Sequence, residues 1–235
     1  MKAYNSLKMF IKRRLCDMKM KKHVNLKAGC LLAGFALFSV FSAESPVFAG
    51  EEDILYTFDE SIEGWKVPDW AFEQRDYVAG KTLLSGETMK SGPGALEVVC
   101  DFPGNRWAAA LVEIEKDMDL SGYSSISADI FIPKSAPKGF FKARFIMTVG
   151  IGWHFIEMRE PVDLIPGKWV TLQADIEKEE LLISDWKGRG EKRLFKHADK
   201  VKKIAVRIEY DASPPHTIGG RYNGPVFIDN VVISK

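Results

Sequence analysis

Gly224-Pro225-Val226-Phe227-Ile228-Asp229-Asn230-Val231-Val232-Ile233-Ser234 sets an acid inside an apolar, β-branched run. Such residues suit a pleated, half-buried surface, so 226–234 reads as a strand. A carboxylate taken out of water needs a partner, and a metal ion is one of the few that fit. Working outward, the same pattern recurs at 54–58, 95–102, 107–115, 125–133, 140–149, 153–159, 169–176 and 203–210. Turn signals such as Ser91-Gly92-Pro93-Gly94, Phe102-Pro103-Gly104-Asn105 and Ile165-Pro166-Gly167-Lys168 separate these runs. The expectation is an all-β chain, a β-sandwich or jelly roll of about nine to ten antiparallel strands. One short, peripheral helical piece is expected at 191–201.

The first 49 residues have a different character. Lys12, Arg13, Arg14, Lys19, Lys21, Lys22 and Lys27 precede an apolar run from Ala28 to Phe41, and Val47-Phe48-Ala49 offers small residues for cleavage. This reads as a secretory signal peptide, with cleavage near Ala49 and export to the periplasm or the cell exterior. The apolar run is short for a span of ~20 residues, which leaves an uncleaved anchor as the alternative. Cys30 stands at the start of the apolar run, which follows the cysteine instead of leading to it, and this argues against lipidation.

The leader carries 9 of the 33 Lys and Arg and 2 of the 32 Asp and Glu, so residues 50–235 hold 24 basic against 30 acidic groups. An acidic exported domain is a poor match for nucleic acid or anionic membrane, where Lys and Arg supply the affinity. Cys16 and Cys30 leave with the leader, so Cys100 has no partner for an internal disulfide. No linker or repeat divides residues 50–235, which are expected to form one domain.

Alternation assigns faces, because residues two apart share one side of a strand. Phe145, Met147 and Val149, like Ile204, Val206, Ile208 and Tyr210, are expected to face the opposite sheet. Arg144, Thr148, Lys203, Arg207 and Glu209 then face outward. On 153–159 the inward residues are Ile156 and Met158, with His154 also inward, while Trp153, Phe155 and Glu157 face out. Aromatic rings beside Arg and Glu on an exposed sheet face mark the surface of greatest interest.

Five fragments together resemble the galactose-binding-domain-like β-sandwiches found among carbohydrate-binding modules. They are Leu55-Tyr56-Thr57-Phe58-Asp59-Glu60 with Gly64-Trp65, Ser91-Gly92 leading to Ala95-Leu96-Glu97-Val98, Leu120 to Ile126, Pro166-Gly167-Lys168-Trp169, and the final Val226 to Val231. Tyr222-Asn223-Gly224-Pro225 and Ile130-Phe131-Ile132-Pro133-Lys134 look closest to mannan-binding modules that accompany β-mannanases. The resemblance implies a structural calcium ion joining the first and last strands. Its ligands here would be Asp59, Asp229 and carbonyl oxygens from Lys90 to Gly92, a set that suits the oxygen preference of calcium. The other reading of Asp229 is that it caps a bulge.

Sugar binding needs flat aromatic faces for the apolar side of a pyranose and planar polar groups for its hydroxyls. Trp65 and Trp169 are expected in the core. Trp153 and Trp107 are expected on strands crossing the open face, with Trp70, Tyr77 and Trp186 in loops that rim a cleft. Arg144, Glu157, Arg207 and Glu209 are the expected polar contacts; otherwise they form cross-strand ion pairs. Catalytic pairs are weaker, since Glu157 and Glu160 fall on opposite faces of a strand and only Glu113 and Glu115 share one. The leading expectation is an exported, non-catalytic protein that binds a β-linked polysaccharide of mannan or glucan type, working beside a separate glycoside hydrolase. The alternatives are a small jelly-roll glycoside hydrolase or polysaccharide lyase, and an envelope protein with a structural or adhesive role.

Overall fold

A computed structural model describes residues 53–176, the backbone of 181–184, and residues 198–212 and 220–235. Residues 1–52, with Cys16 and Cys30, and Trp186 and residues 191–197 lie outside the described residues. Twelve strands are present among the described residues: β1 (Ile54–Tyr56), β2 (Ala79–Ser85), β3 (Ala95–Phe102), β4 (Ala108–Met118), β5 (Ser125–Phe131), β6 (Phe141–Val149), β7 (His154–Met158), β8 (Val162–Asp163), β9 (Trp169–Asp175), β10 (Leu181–Ser184), β11 (Val201–Tyr210) and β12 (Tyr222–Ser234). The first sheet has the order β2-β3-β12-β5-β9, with β1 also paired to β12. The second has the order β10-β7-β6-β11-β4, with β8 on β6. Strand pairing within both sheets is antiparallel, and the molecule is a β-sandwich. Among the described residues no helix is long and apolar enough to cross a membrane.

The inner faces follow alternation. Leu96, Val98, Ile126, Ala128, Ile130, Val226 and Ile228 of the first sheet share one core with Val112, Phe145, Met147, Ile204, Val206 and Ile208 of the second. Trp65 is fully buried at the end of this core, edge-on to Tyr56 and Phe58 at 5.7 and 6.2 Å.

β12 is the centre of the first sheet and begins earlier than expected, at Tyr222. Proline is tolerated there because Pro225 faces Val99 of β3 on one side, while pairing with β5 starts only at Phe227. The Tyr222 hydroxyl also donates to the Pro225 carbonyl at 2.7 Å. The register with β5 slips between Asp229 and Val232, and Asn230 takes a left-handed φ of +47°. This bulge shifts the inward set from Val226 and Ile228 to Val231 and Ile233. One inserted residue reverses facing, as the period of two requires.

Several expectations need correction. β2, β8 and β10 were not anticipated; β2 is an edge strand whose register slips at Gly80, which blurs its pattern. The expected helix at 191–201 is, where described, a 3-10 turn over Ala198–Lys200 followed by β11. Trp153 belongs to the β6–β7 turn instead of a strand, with φ of +52°. His154 has inward parity but is exposed, because it pairs with Val149 at the very end of the hairpin and its ring folds over Gly152. Trp169 is half-buried on the outer face of the first sheet against Phe131, at 5.4 Å between ring centres, because Leu172 and Ala174 take the inward positions of β9.

Gly94, just before β3, has no room for a side chain. A Cβ there would lie 2.3 Å from the Phe58 carbonyl oxygen, a backbone atom that cannot step aside. Gly94→Ala is therefore expected to cost about 1–3 kcal/mol through overpacking, read as a lower urea midpoint with unchanged slope. An unchanged midpoint would contradict this contact.

Candidate functional site

The outer face of the second sheet is a grid fixed by register. One cross-strand row runs Glu157, Ile146, Ala205, Glu113, and a second runs Phe155, Thr148, Lys203, Glu115. On the other side of the first row, Arg144, Arg207 and Leu111 align. Leu111, Ile146 and Ala205 form a small apolar cluster on this outer face, and Tyr77 packs on it. The unbroken apolar run Ala108 to Val112 was its signal in the sequence, because strands covered on both faces lose their alternation.

The cover comes from residues 66–78. Lys66 and Glu113 exchange backbone hydrogen bonds of 3.0 and 2.8 Å, and Val78 and Asp76 bond both backbone groups of Ala109 at 2.8 Å. Arg106 fixes the segment further through its Nε to Asp76 at 3.0 Å and its Nη2 to the Arg75 carbonyl at 3.1 Å. Between the anchors, a 3-10 turn over Asp69–Glu73 carries Trp70 to the face. Trp70 stands edge-on to Tyr77 at 4.8 Å, and Tyr77 edge-on to Trp107 at 6.4 Å.

Four charges occupy the floor. Arg207 reaches Glu157 through Nη1 at 2.7 Å and Glu209 through Nε at 2.8 Å. Arg144 pairs with the same Glu209 at 2.7 Å and donates to the Met158 carbonyl at 3.2 Å. Both arginines and Glu209 are largely buried, while Glu157 is the most open of the four. Burial alone would lower the Arg207 pKa, but the charges of Glu157 and Glu209 outweigh it and hold it above its ordinary value. The two positive and two negative groups balance, so the floor offers fixed planar donors and acceptors without net charge. Fixed guanidinium planes suit recognition of paired oxygens.

The result is a cleft of about 280 Å³ lined by Trp70, Tyr77, Leu111, Ile146, Phe155, Glu157 and Arg207. Of the expected contacts, Trp70, Tyr77, Glu157 and Arg207 meet there, and Arg144 and Glu209 brace them. Trp107 is half-buried behind Tyr77, and Trp153 stands outside the cleft, with Lys203 Nζ over its ring at 5.8 Å. Phe155, the ring opposite Trp70, was absent from the expected contacts although alternation placed it outward. Glu113 and Glu115 do share a face, but both are held by Lys203 Nζ, at 2.6 and 3.0 Å. Glu160 lies exposed beyond the end of β7.

Asp59 and Asp229, the carboxylates expected to bind calcium, each border the segment Lys90 to Gly92. Asp229 is fully buried; its Oδ2 accepts the backbone N–H of Lys90 at 2.8 Å and of Ser91 at 3.1 Å, and its Oδ1 accepts that of Asn230 at 2.7 Å. Burial raises the Asp229 pKa; the three N–H groups oppose that shift, and the nearby Asp129 charge adds to it. Asp59 Oδ1 is buried without a hydrogen-bond donor and lies where a Cβ on Gly92 would intrude. An undonated buried carboxylate oxygen fits a cation, while Asp229 already serves as the acceptor that holds the bulge. Among the described residues no group of three or more His, Cys, Asp or Glu is placed to hold a metal, so backbone oxygens would complete any such site.

No protein-family model matches the chain, and no curated protein matches it. Solved structures do match. A carbohydrate-binding module described by its specific mannan recognition is 21% identical with a TM-score of 0.45, covering 78% of this chain and 98% of its own. A module specific for non-crystalline cellulose is 14% identical with a TM-score of 0.49, covering 76% and 92%. A family 11 module from Clostridium thermocellum, in complex with a β-1,3-1,4-mixed-linked tetrasaccharide, is 15% identical with a TM-score of 0.44, covering 77% and 95%. Carbohydrate-binding modules of the β-sandwich kind are thus what this chain is similar to among solved structures.

Proposed function

We propose that this protein is an exported, non-catalytic binder of a β-linked polysaccharide of mannan or glucan type, acting beside a separate glycoside hydrolase. The observation that carries this reading is the pairing of exposed rings, Trp70 and Phe155, on two sides of a charge-balanced floor of arginine and glutamate. Aromatic faces take the apolar side of a pyranose, and the floor groups take its hydroxyls in the sugar plane. Turnover by a glycosidase needs two carboxylates free to act as acid and base or nucleophile. Here Glu157 and Glu209 are engaged by arginine, and Glu113 and Glu115 by lysine. These ion pairs support the reading of binding without cleavage.

Affinity electrophoresis through gels containing mannan, glucomannan, xylan or β-glucan tests this reading. Retardation in at least one gel is expected, with a roughly tenfold weaker affinity for Trp70→Ala or Phe155→Ala, since about 1.4 kcal/mol separates each factor of ten. Equal migration in every gel would sink the proposal.

Calcium binding at Asp59 is part of the same proposal, as a structural clasp between the opening strand, the Lys90 to Gly92 turn and β12. A ligand that binds only the folded state raises stability by about 2.7 kcal/mol at a hundred times its dissociation constant. A chelator is accordingly expected to lower the melting temperature by several degrees, and Asp59→Asn to abolish the difference. A melting temperature indifferent to chelator and calcium would remove the clasp.

Export has its own readout. Sequencing the N-terminus of protein recovered outside the cytoplasm is expected to begin at or near Gly50. Recovery of an exported chain that retains the basic segment would favour the anchored alternative instead.

A further inference from the structure

Trp153 adopts a backbone conformation that its surroundings must impose. Its φ is +52°, in a region that bulky side chains avoid, and its ring is 52% exposed. Such residues persist where neighbouring structure over-determines them, and they cluster at functional sites. The turn closes with the Trp153 N–H donated to the Gly150 carbonyl at 3.4 Å, but it gives the ring little cover: Ile151 is 90% exposed, and Gly152 yields its side-chain space to the His154 ring.

Among the described residues, Lys203 is the charged partner over the Trp153 ring, with its Nζ 5.8 Å from the ring centre, within cation–π range. That ammonium is itself pinned. Glu113 Oε1 is 2.6 Å away and nearly buried, and Glu115 Oε2 is 3.0 Å away. Two carboxylates on β4 therefore fix a cation on β11, and the cation meets a ring on the β6–β7 turn. Lys203 also sits in the cross-strand row of Phe155, two positions across the sheet. A ring held over Lys203 extends the aromatic surface beyond the cleft, along that row.

We infer that Lys203, locked between Glu113 and Glu115, is a positioning residue that holds Trp153 as a second aromatic platform for a polysaccharide running past Phe155. The inference rests on the sugar-binding reading above, but its central contact can be measured without sugar. Protein labelled with 5-fluorotryptophan gives one fluorine resonance per tryptophan, and Trp153→Phe identifies the one of interest. In Lys203→Met/Glu113→Gln, which leaves no unpaired buried charge, that resonance is expected to narrow and move toward the free amino acid. Affinity for the retarding polysaccharide is expected to fall about three- to fivefold, the scale of a lost cation–π contact. Adding Trp153→Ala to the pair should cause no further loss, and Lys203→Arg should keep both the resonance and the affinity. Should the paired variant fail to fold, Glu115→Gln loosens the same ammonium from an exposed position and is expected to move the same resonance less far. An unmoved resonance, an unmoved affinity, or losses that multiply would overturn the inference. A wild-type protein that binds no polysaccharide would instead overturn the sugar-binding reading, with the resonance still reporting on Lys203.

Discussion

The free edge of β4 is the constraint from which the site follows. A terminal strand presents unpaired N–H and C=O groups, and an open edge invites pairing with other chains. Here residues 66–78 close it with four backbone hydrogen bonds at two points, Glu113 and Ala109. The chain between those anchors is too long to lie flat along β4, so it rises and carries Trp70 onto the sheet face. Tyr77, next to the second anchor, is pressed onto Leu111 and Ile146 by the same geometry. The aromatic wall is thus set by edge closure.

The charges on the floor obey a related logic. Arg144, Arg207, Glu157 and Glu209 surround an apolar patch, where an unpaired charge is costly and removal of one partner typically costs about 3–5 kcal/mol. Sharing Glu209 between two guanidiniums satisfies both with a single carboxylate. Glu157 then remains the most open member. The network is buried at its base and more open at its rim, and charges pre-positioned in this way need little reorganisation to meet a partner.

Much of this was legible in the sequence, and the remainder was hidden for identifiable reasons. Alternation placed Ile156 and Met158 inside and Phe155 and Glu157 outside, because the middle of a hairpin strand has neighbours on both sides that enforce the period of two. It failed for His154, where the hairpin ends and the opposite sheet no longer covers the ring. The Gly64-Trp65 pair that carries the resemblance located Trp65 in the core, yet the same approach misplaced Trp169, whose facing depends on which residues of β9 are already inward. The long stretch after the opening strand offered no period at all. Its role is set by pairing with β4 some forty residues away, and local pattern carries no trace of such a partner. The Asp229 reading changed most: the acid is buried as the sequence suggested, but it first anchors a bulge and the Lys90 and Ser91 amides.

β12 also governs when this molecule can come into being. It lies between β3 and β5 and pairs with β1 as well, so three earlier strands share a neighbour made well after them. Pairing over such separations in sequence is slow, because chain closure must precede any contact that rewards it. A growing chain that lacks residues beyond 221 has no centre for its first sheet. Until β12 has been made, β1, β3 and β5 lack the partner they share, and the first sheet cannot close.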